Sequence, residues 1–172
     1  RNFRGAAQIV RRLQALQAVR LDSSIPIAGI PRHHAPEWAK REVSLNAAQS
    51  AALEALRPSL EAPAFSAFLL SGVTGSGKTE VYIDAIKLAL RHGRGALVLV
   101  PEIALTPQLI DRFSARLGEE VAVLHSAMGK RARWQAWQAL LNGVCRVALG
   151  ARSAVFAPIG GSGLVVVDEE HD

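Results

Sequence analysis

The chain has 172 residues, 49% of them hydrophobic and 20% charged, with 20 Lys and Arg against 15 Asp and Glu. That is enough apolar length for one substantial core with a small appendage. No apolar run approaches the roughly 18 residues of a membrane span and no signal-peptide pattern is present, which argues against membrane insertion or secretion; a single cysteine with scattered histidines leaves no Cys/His metal cluster to build.

Phe3 to Arg20 reads as an amphipathic helix, with Ile9, Val10, Leu13, Leu16 and Val19 along one side. Residues 1–42 hold eight Arg or Lys and three Asp or Glu, whereas residues 43–172 hold twelve of each. The whole excess of charge therefore lies in the leading segment, at Arg1, Arg4, Arg11, Arg12 and Arg20 among others. A nucleic-acid contact fits this, and so does a solvated helix face or a tail for an acidic partner. Pro26, Pro31 and Pro36 then break any long element, so 1–43 reads as a basic segment and linker ahead of a unit spanning 44–172.

In that unit Ser44-Leu45-Asn46 opens a helix to about Leu56, with Pro58 marking its end. Ala67 to Leu70 is an apolar run read as a strand. It leads into Gly72-Val73-Thr74-Gly75-Ser76-Gly77-Lys78-Thr79, and a helix follows to about Arg91, with Gly93 and Gly95 as stop signals. Ala96 to Val100 is a buried strand, and Thr106-Pro107 caps a helix to about Leu117. Val121 to Leu124 is a strand, Lys130 to Leu141 a helix, Cys145 to Leu149 a strand, and Leu164 to Val167 a fully apolar strand ending in Asp168-Glu169-Glu170-His171. The alternation predicts an α/β fold: a parallel sheet with helices on both faces. Cys145 reads as a buried, inert thiol, consistent with a reducing cytoplasm. Trp134 and Trp137, three apart on one helix, read as core packing, with base stacking as the alternative.

The glycine-rich stretch fits G-x-x-x-x-G-K-[ST]. Gly72, Gly75 and Gly77 allow backbone angles and close approach that a Cβ would block, so the loop amides, those of Thr74 and Ser76 included, can face phosphate oxygens. Lys78 would bridge the β- and γ-phosphates and Thr79 would hold Mg²⁺. A glycine-rich turn with a solvated lysine is the bland alternative. Asp168, at the carboxyl end of an apolar strand about 90 residues later, suits the magnesium role, and Glu169 suits the base that orients the attacking water. An ATP site with Mg²⁺ is expected from this pair.

Several stretches together resemble the primosomal protein N′ family, the superfamily 2 replication-restart DNA helicases of bacteria. They are Leu45-Asn46-Ala47-Ala48-Gln49, Gly72 to Tyr82, Val100-Pro101-Glu102-Ile103-Ala104-Leu105-Thr106-Pro107-Gln108, Leu124-His125-Ser126, Arg152 to Pro158 and Asp168 to Asp172. The resemblance covers about 44–172. It implies a RecA-like phosphate-loop NTPase lobe, with residues 1–43 a partial, winged-helix-like segment, and an ATP-dependent helicase moving 3′ to 5′ on DNA. It implies that Gln49 reads adenine, that Lys78, Thr79, Asp168 and Glu169 act on the magnesium nucleotide, and that His171 closes a DEEH box. It also implies that Thr106, Arg152 and Ser153 grip single-stranded DNA; a helix cap at Thr106 and an ion pair at Arg152 are the plain alternatives. Forked DNA, primosome proteins and single-strand-binding protein are the implied partners, with a cytoplasmic, nucleoid-associated location. Ala151 stands where the family has threonine, and Gly160-Gly161-Ser162-Gly163 is unusually glycine-rich, so a mobile loop is expected there. The chain is expected to be a fragment. The family's aromatic-rich loop, Ser-Ala-Thr motif, second lobe with its arginine finger, zinc cysteines and amino-terminal DNA-binding domain have no counterpart in these residues. A DNA-binding or primosome scaffold with an inactive nucleotide site is the rival from a different class.

Overall fold

A computed structural model describes residues 36–40, 43–61, 65–118 and 121–168, with the isolated positions 13, 15 and 16. The basic helix expected over Phe3 to Arg20 and the acids Glu169 and Glu170 with His171 lie outside the described residues.

In chain order the elements are α1 (Glu37–Lys40), α2 (Ala47–Glu61), α3 (Lys78–Arg91), β1 (Gly95–Leu99), a 3-10 turn (Glu102–Ala104), α4 (Pro107–Leu117), β2 (Val121–Leu124), α5 (Lys130–Leu141), β3 (Val147–Gly150), a second 3-10 turn (Arg152–Phe156) and β4 (Ser162–Val167). The four strands are parallel in the order β2-β3-β1-β4. From β1 the chain travels outward to β2 and then steps back to β3. Parallel crossovers share one hand, so a reversal of direction sends α4 and α5 to opposite faces. The core follows that division. Val98, Val147, Leu149 and Val166 pack with Ile83, Ile86 and Phe113 from α3 and α4. Leu97, Ala122, Leu124 and Ala148, which alternate with them, pack with Ala136, Ala139 and Leu140 from α5. The expected RecA-like α/β architecture is present.

Three local expectations need correction. Pro58 does not end α2, which continues to Glu61 with the proline inside it. Leu60 in the final turn packs on Ala85, Leu88 and Ala89 of α3, and this burial holds the turn in place despite the donor lost at Pro58. On the solvent side Arg57 donates two bonds to Glu54, and these bonds, helped by its charge, hold that carboxyl below the ordinary value. The run Ala67 to Leu70 forms no strand: residues 65–73 carry no regular structure, and Phe65 and Leu69 are 95% and 85% exposed. A short apolar run encodes burial but not its partner. Trp134 is not a core residue. The buried stripe of α5 runs through Ala136, Ala139 and Leu140, which turns Trp134 to the opposite side, 52% exposed.

Smaller differences are matters of boundary. Cys145 is buried as expected but precedes β3 rather than opening it, and Ser162 and Gly163 already belong to β4, leaving Gly160 and Gly161 as the turn.

Candidate nucleotide and nucleic-acid site

All four strands end at one rim of the sheet, where open α/β folds gather their ligands. Asp168 follows β4 directly, and its N–H donates to the Leu99 carbonyl at 2.8 Å, extending the β1–β4 ladder by one step. Its Oδ1 accepts from the Tyr82 hydroxyl at 3.1 Å. Tyr82 lies one turn into α3, so the acid of β4 is tied to the helix that the phosphate loop opens.

The loop has the backbone its glycines predict. Gly75 and Gly77 have φ of 79° and 84°, in the left-handed region that side chains with a Cβ avoid. Gly77 caps α3, and a Cβ there would collide with the Gln49 side-chain amide. Lys78 opens the helix and folds back over the loop, its Nζ donating to the carbonyls of Gly72 at 2.6 Å and Val73 at 3.3 Å. Thr79 follows in the first turn of α3. The cationic head thus sits against the loop, a place suited to an anion's oxygens.

Gln49 is engaged at both ends. Its Oε1 accepts from the Asn46 N–H and its N–H donates to Asn46 Oδ1, both at 2.9 Å, a reciprocal cap on α2. Its Nε2 donates to the Ser76 carbonyl at 2.8 Å. The residue expected to read adenine is thereby fastened to the phosphate loop itself.

One feature of this region was missed from sequence. Glu80, in the first turn of α3, is only 7% exposed. Arg116 of α4 donates to its Oε2 at 2.7 Å, Arg112 approaches Oε1 at 4.0 Å, and Arg116 also lies 3.8 Å from Asp84. The pair spans from the phosphate-loop helix to the helix that Thr106 caps. A signal existed: an acid immediately after Gly-Lys-Thr stands on the buried side of a helix whose other inward residues are aliphatic.

Farther along the rim stand the residues expected to meet DNA. Thr106 caps α4, its Oγ1 accepting from Leu109 N–H at 3.3 Å with Pro107 next in line, as the sequence predicts. Arg152 and Ser153 open the 3-10 turn after β3 and are exposed. No acid pairs with Arg152 among the described residues. Gly150 allows the close approach that positions this turn: a Cβ there would run into the Leu124 carbonyl and come within 2.8 Å of Ala154.

A family model for DEAD/DEAH box helicases matches residues 46–172. The chain belongs to that family. It is 46% identical over 124 residues to the replication restart protein PriA of Bacillus subtilis, covering 72% of this chain and 15% of that protein. It is 44% identical over 137 residues to PriA of Synechocystis, covering 77% and 16%, and 42% identical over 134 residues to PriA of Haemophilus influenzae, covering 78% and 18%. The chain thus spans about a sixth of the length of these relatives. The resemblance drawn from the motif blocks stands. No described helix is long and apolar enough to cross a membrane.

Proposed function

We propose that this chain is the first motor lobe of an ATP-dependent 3′-to-5′ DNA helicase that restarts replication at stalled forks, together with primosome and single-strand-binding proteins, in the bacterial cytoplasm at the nucleoid. The observation that carries the reading is the pairing of the phosphate loop with Asp168. A loop with two left-handed glycines, a lysine folded onto it and an acid tethered by Tyr82 support reading these as the two halves of a magnesium nucleotide site.

In this reading Gly72, Thr74, Gly75, Ser76 and Gly77 present backbone to the phosphates, and the amino end of α3 adds its positive dipole. Lys78 leaves the Gly72 and Val73 carbonyls to neutralise the β- and γ-phosphates. Thr79 and Asp168 would hold Mg²⁺, which when bound neutralises charge on the transferred phosphoryl group. Glu169 orients the attacking water. Gln49 reads the adenine edge, exchanging its present partners for the base. Thr106 offers its hydroxyl and helix amino end to a DNA phosphate, with Arg152 and Ser153 adding bonds, the one from Arg152 charge-assisted. An arginine finger from another lobe is often worth about 10³–10⁵ in rate, so this chain by itself binds ATP and turns it over slowly.

The test is Mg-ATP hydrolysis by the intact protein with and without forked DNA, beside Lys78→Ala. Turnover that DNA stimulates and that Lys78→Ala abolishes supports the motor. DNA binding without any turnover would overturn it in favour of a scaffold whose nucleotide site is inert.

A further inference from the structure

The neutral balance of residues 43–172 hides a polarised surface. Residues 121–157 contain no Asp or Glu; Lys130, Arg131 and Arg133 follow β2 and Arg152 follows β3 at the carboxyl rim, whereas Arg146 lies at the other end of β3, bonded to the Leu90 carbonyl. Within this segment, past the end of β2, lies a cavity of about 270 Å³ lined by Leu124, His125, Arg133, Trp137, Ser153 and Phe156. Its walls are mainly carbon, and two aromatic rings contribute to them, Trp137 from α5 and Phe156 from the 3-10 turn. Arg133 secures one side by donating to the carbonyls of His125 at 3.1 Å and Ser126 at 3.4 Å. Phe156 is 77% exposed, with Val155 beside it half-exposed. Their burial is therefore not what holds the lobe together.

An occupant must present a flat apolar body with a polar edge, and it must be attached to negative charge. An apolar peptide meets the first demand, but Lys130, Arg131, Arg133 and Arg152, on a stretch of chain without acids, favour an occupant that carries negative charge. A nucleobase on a single strand meets both: its ring can stack on an aromatic face, its edge can bond the His125 and Ser153 side chains, and its phosphates are drawn to the flanking Lys and Arg. We infer that the Trp137–Phe156 cavity is a stacking site for one unpaired base of a DNA strand whose phosphate backbone passes Arg152. This rests on the DNA-binding reading above and adds a base-binding subsite to it.

The test compares the intact protein with Phe156→Ala and Phe156→Trp, by fluorescence anisotropy, on a labelled oligothymidylate and on an oligonucleotide of equal length built from abasic residues. Phe156→Ala should weaken oligothymidylate binding roughly five- to hundredfold, as expected for loss of one base–aromatic stack, and Phe156→Trp should keep it. The salt dependence should stay unchanged, because no charge is lost. Removing the bases should cost Phe156→Ala less than it costs the parent. Wild-type affinity in Phe156→Ala, or an equal loss on both oligonucleotides, would overturn the base site while leaving DNA binding intact. Failure of the parent protein to bind either oligonucleotide would overturn the DNA reading and the base site with it.

Discussion

The two halves of the carboxyl rim are built differently. Around the phosphate loop, polar side chains are committed to partners within the fold: Gln49 to Ser76, Lys78 to Gly72 and Val73, Tyr82 to Asp168, Glu80 to Arg116. On the β2–β3 side the rim carries unbalanced positive charge, and aromatic side chains stand in solvent, Trp134 and Phe156 among them. A loop that must aim amides at a phosphate to within a few tenths of an ångström needs preorganisation. Under the proposed function, the second half would let a charged polymer slide, which needs charge and exposed rings rather than fixed bonds.

The largest effect is expected where the nucleotide half is tied to α4. Glu80→Ala would leave Arg116 buried without its main partner, and Arg116 Nε already lacks a hydrogen-bond acceptor. Removing one member of a buried pair costs about 3–5 kcal/mol, so urea unfolding should show a loss of that order. Replacing both, Glu80→Leu with Arg116→Met, should recover most of it, because the desolvation of both charges goes at once. A small loss in the single variant would place Glu80 in water and weaken the contrast between the two halves.

Next in size is Gly77→Ala. Holding a side chain at φ of 84° costs about 1–2 kcal/mol, and the new Cβ meets the Gln49 amide. Stability and nucleotide affinity should both fall, measured by thermal unfolding and by titration with a fluorescent ATP analogue. Gln49→Ala costs stability of its own through the lost cap on α2, but the double variant should lose less than the sum of the two single losses, since the collision disappears and only the backbone strain stays. Strict additivity in that cycle would show that Gln49 and Gly77 act independently.

What the sequence disclosed follows the same division. The positive-φ turns at Gly75 and Gly77, the lysine after them and the placement of Asp168 at the end of β4 were legible because such geometry admits only certain residues at fixed spacing, and spacing survives in one dimension. The strands β1 to β4 were legible through apolar runs, and α4 through Thr106-Pro107. The Glu80–Arg116 pair was not, because it joins residues 36 apart in the chain and either one alone reads as a solvated charge. The cationic rim was hidden by averaging: twelve basic and twelve acidic residues cancel across 43–172, although residues 121–157 carry none of the acids. Trp134 reads as core from its spacing alone, and the alanine-rich stripe of α5 that turns it outward becomes decisive only once the helix is seen against the sheet. The run Ala67 to Leu70 shows the converse limit, an apolar signal with no pairing partner among the described strands.

Thr106 stands where the two halves meet, and the smallest effect separates its two roles. As a helix cap it accepts the Leu109 N–H, so Thr106→Ala should cost about 1 kcal/mol of stability whatever else it does. A loss of DNA affinity in that variant would therefore be ambiguous. Thr106→Asp resolves it. Aspartate caps a helix as well as threonine does and its charge suits the amino end of α4, so stability should hold or rise by a few tenths of a kcal/mol. If a DNA phosphate approaches this terminus, the same charge repels it, and affinity for single-stranded DNA should drop severalfold with stability unchanged. If Thr106 only caps, both quantities should stay at their parental values. Affinity that follows stability in Thr106→Ala but is indifferent to Thr106→Asp would confine the DNA-gripping surface to the Arg152 side of the rim.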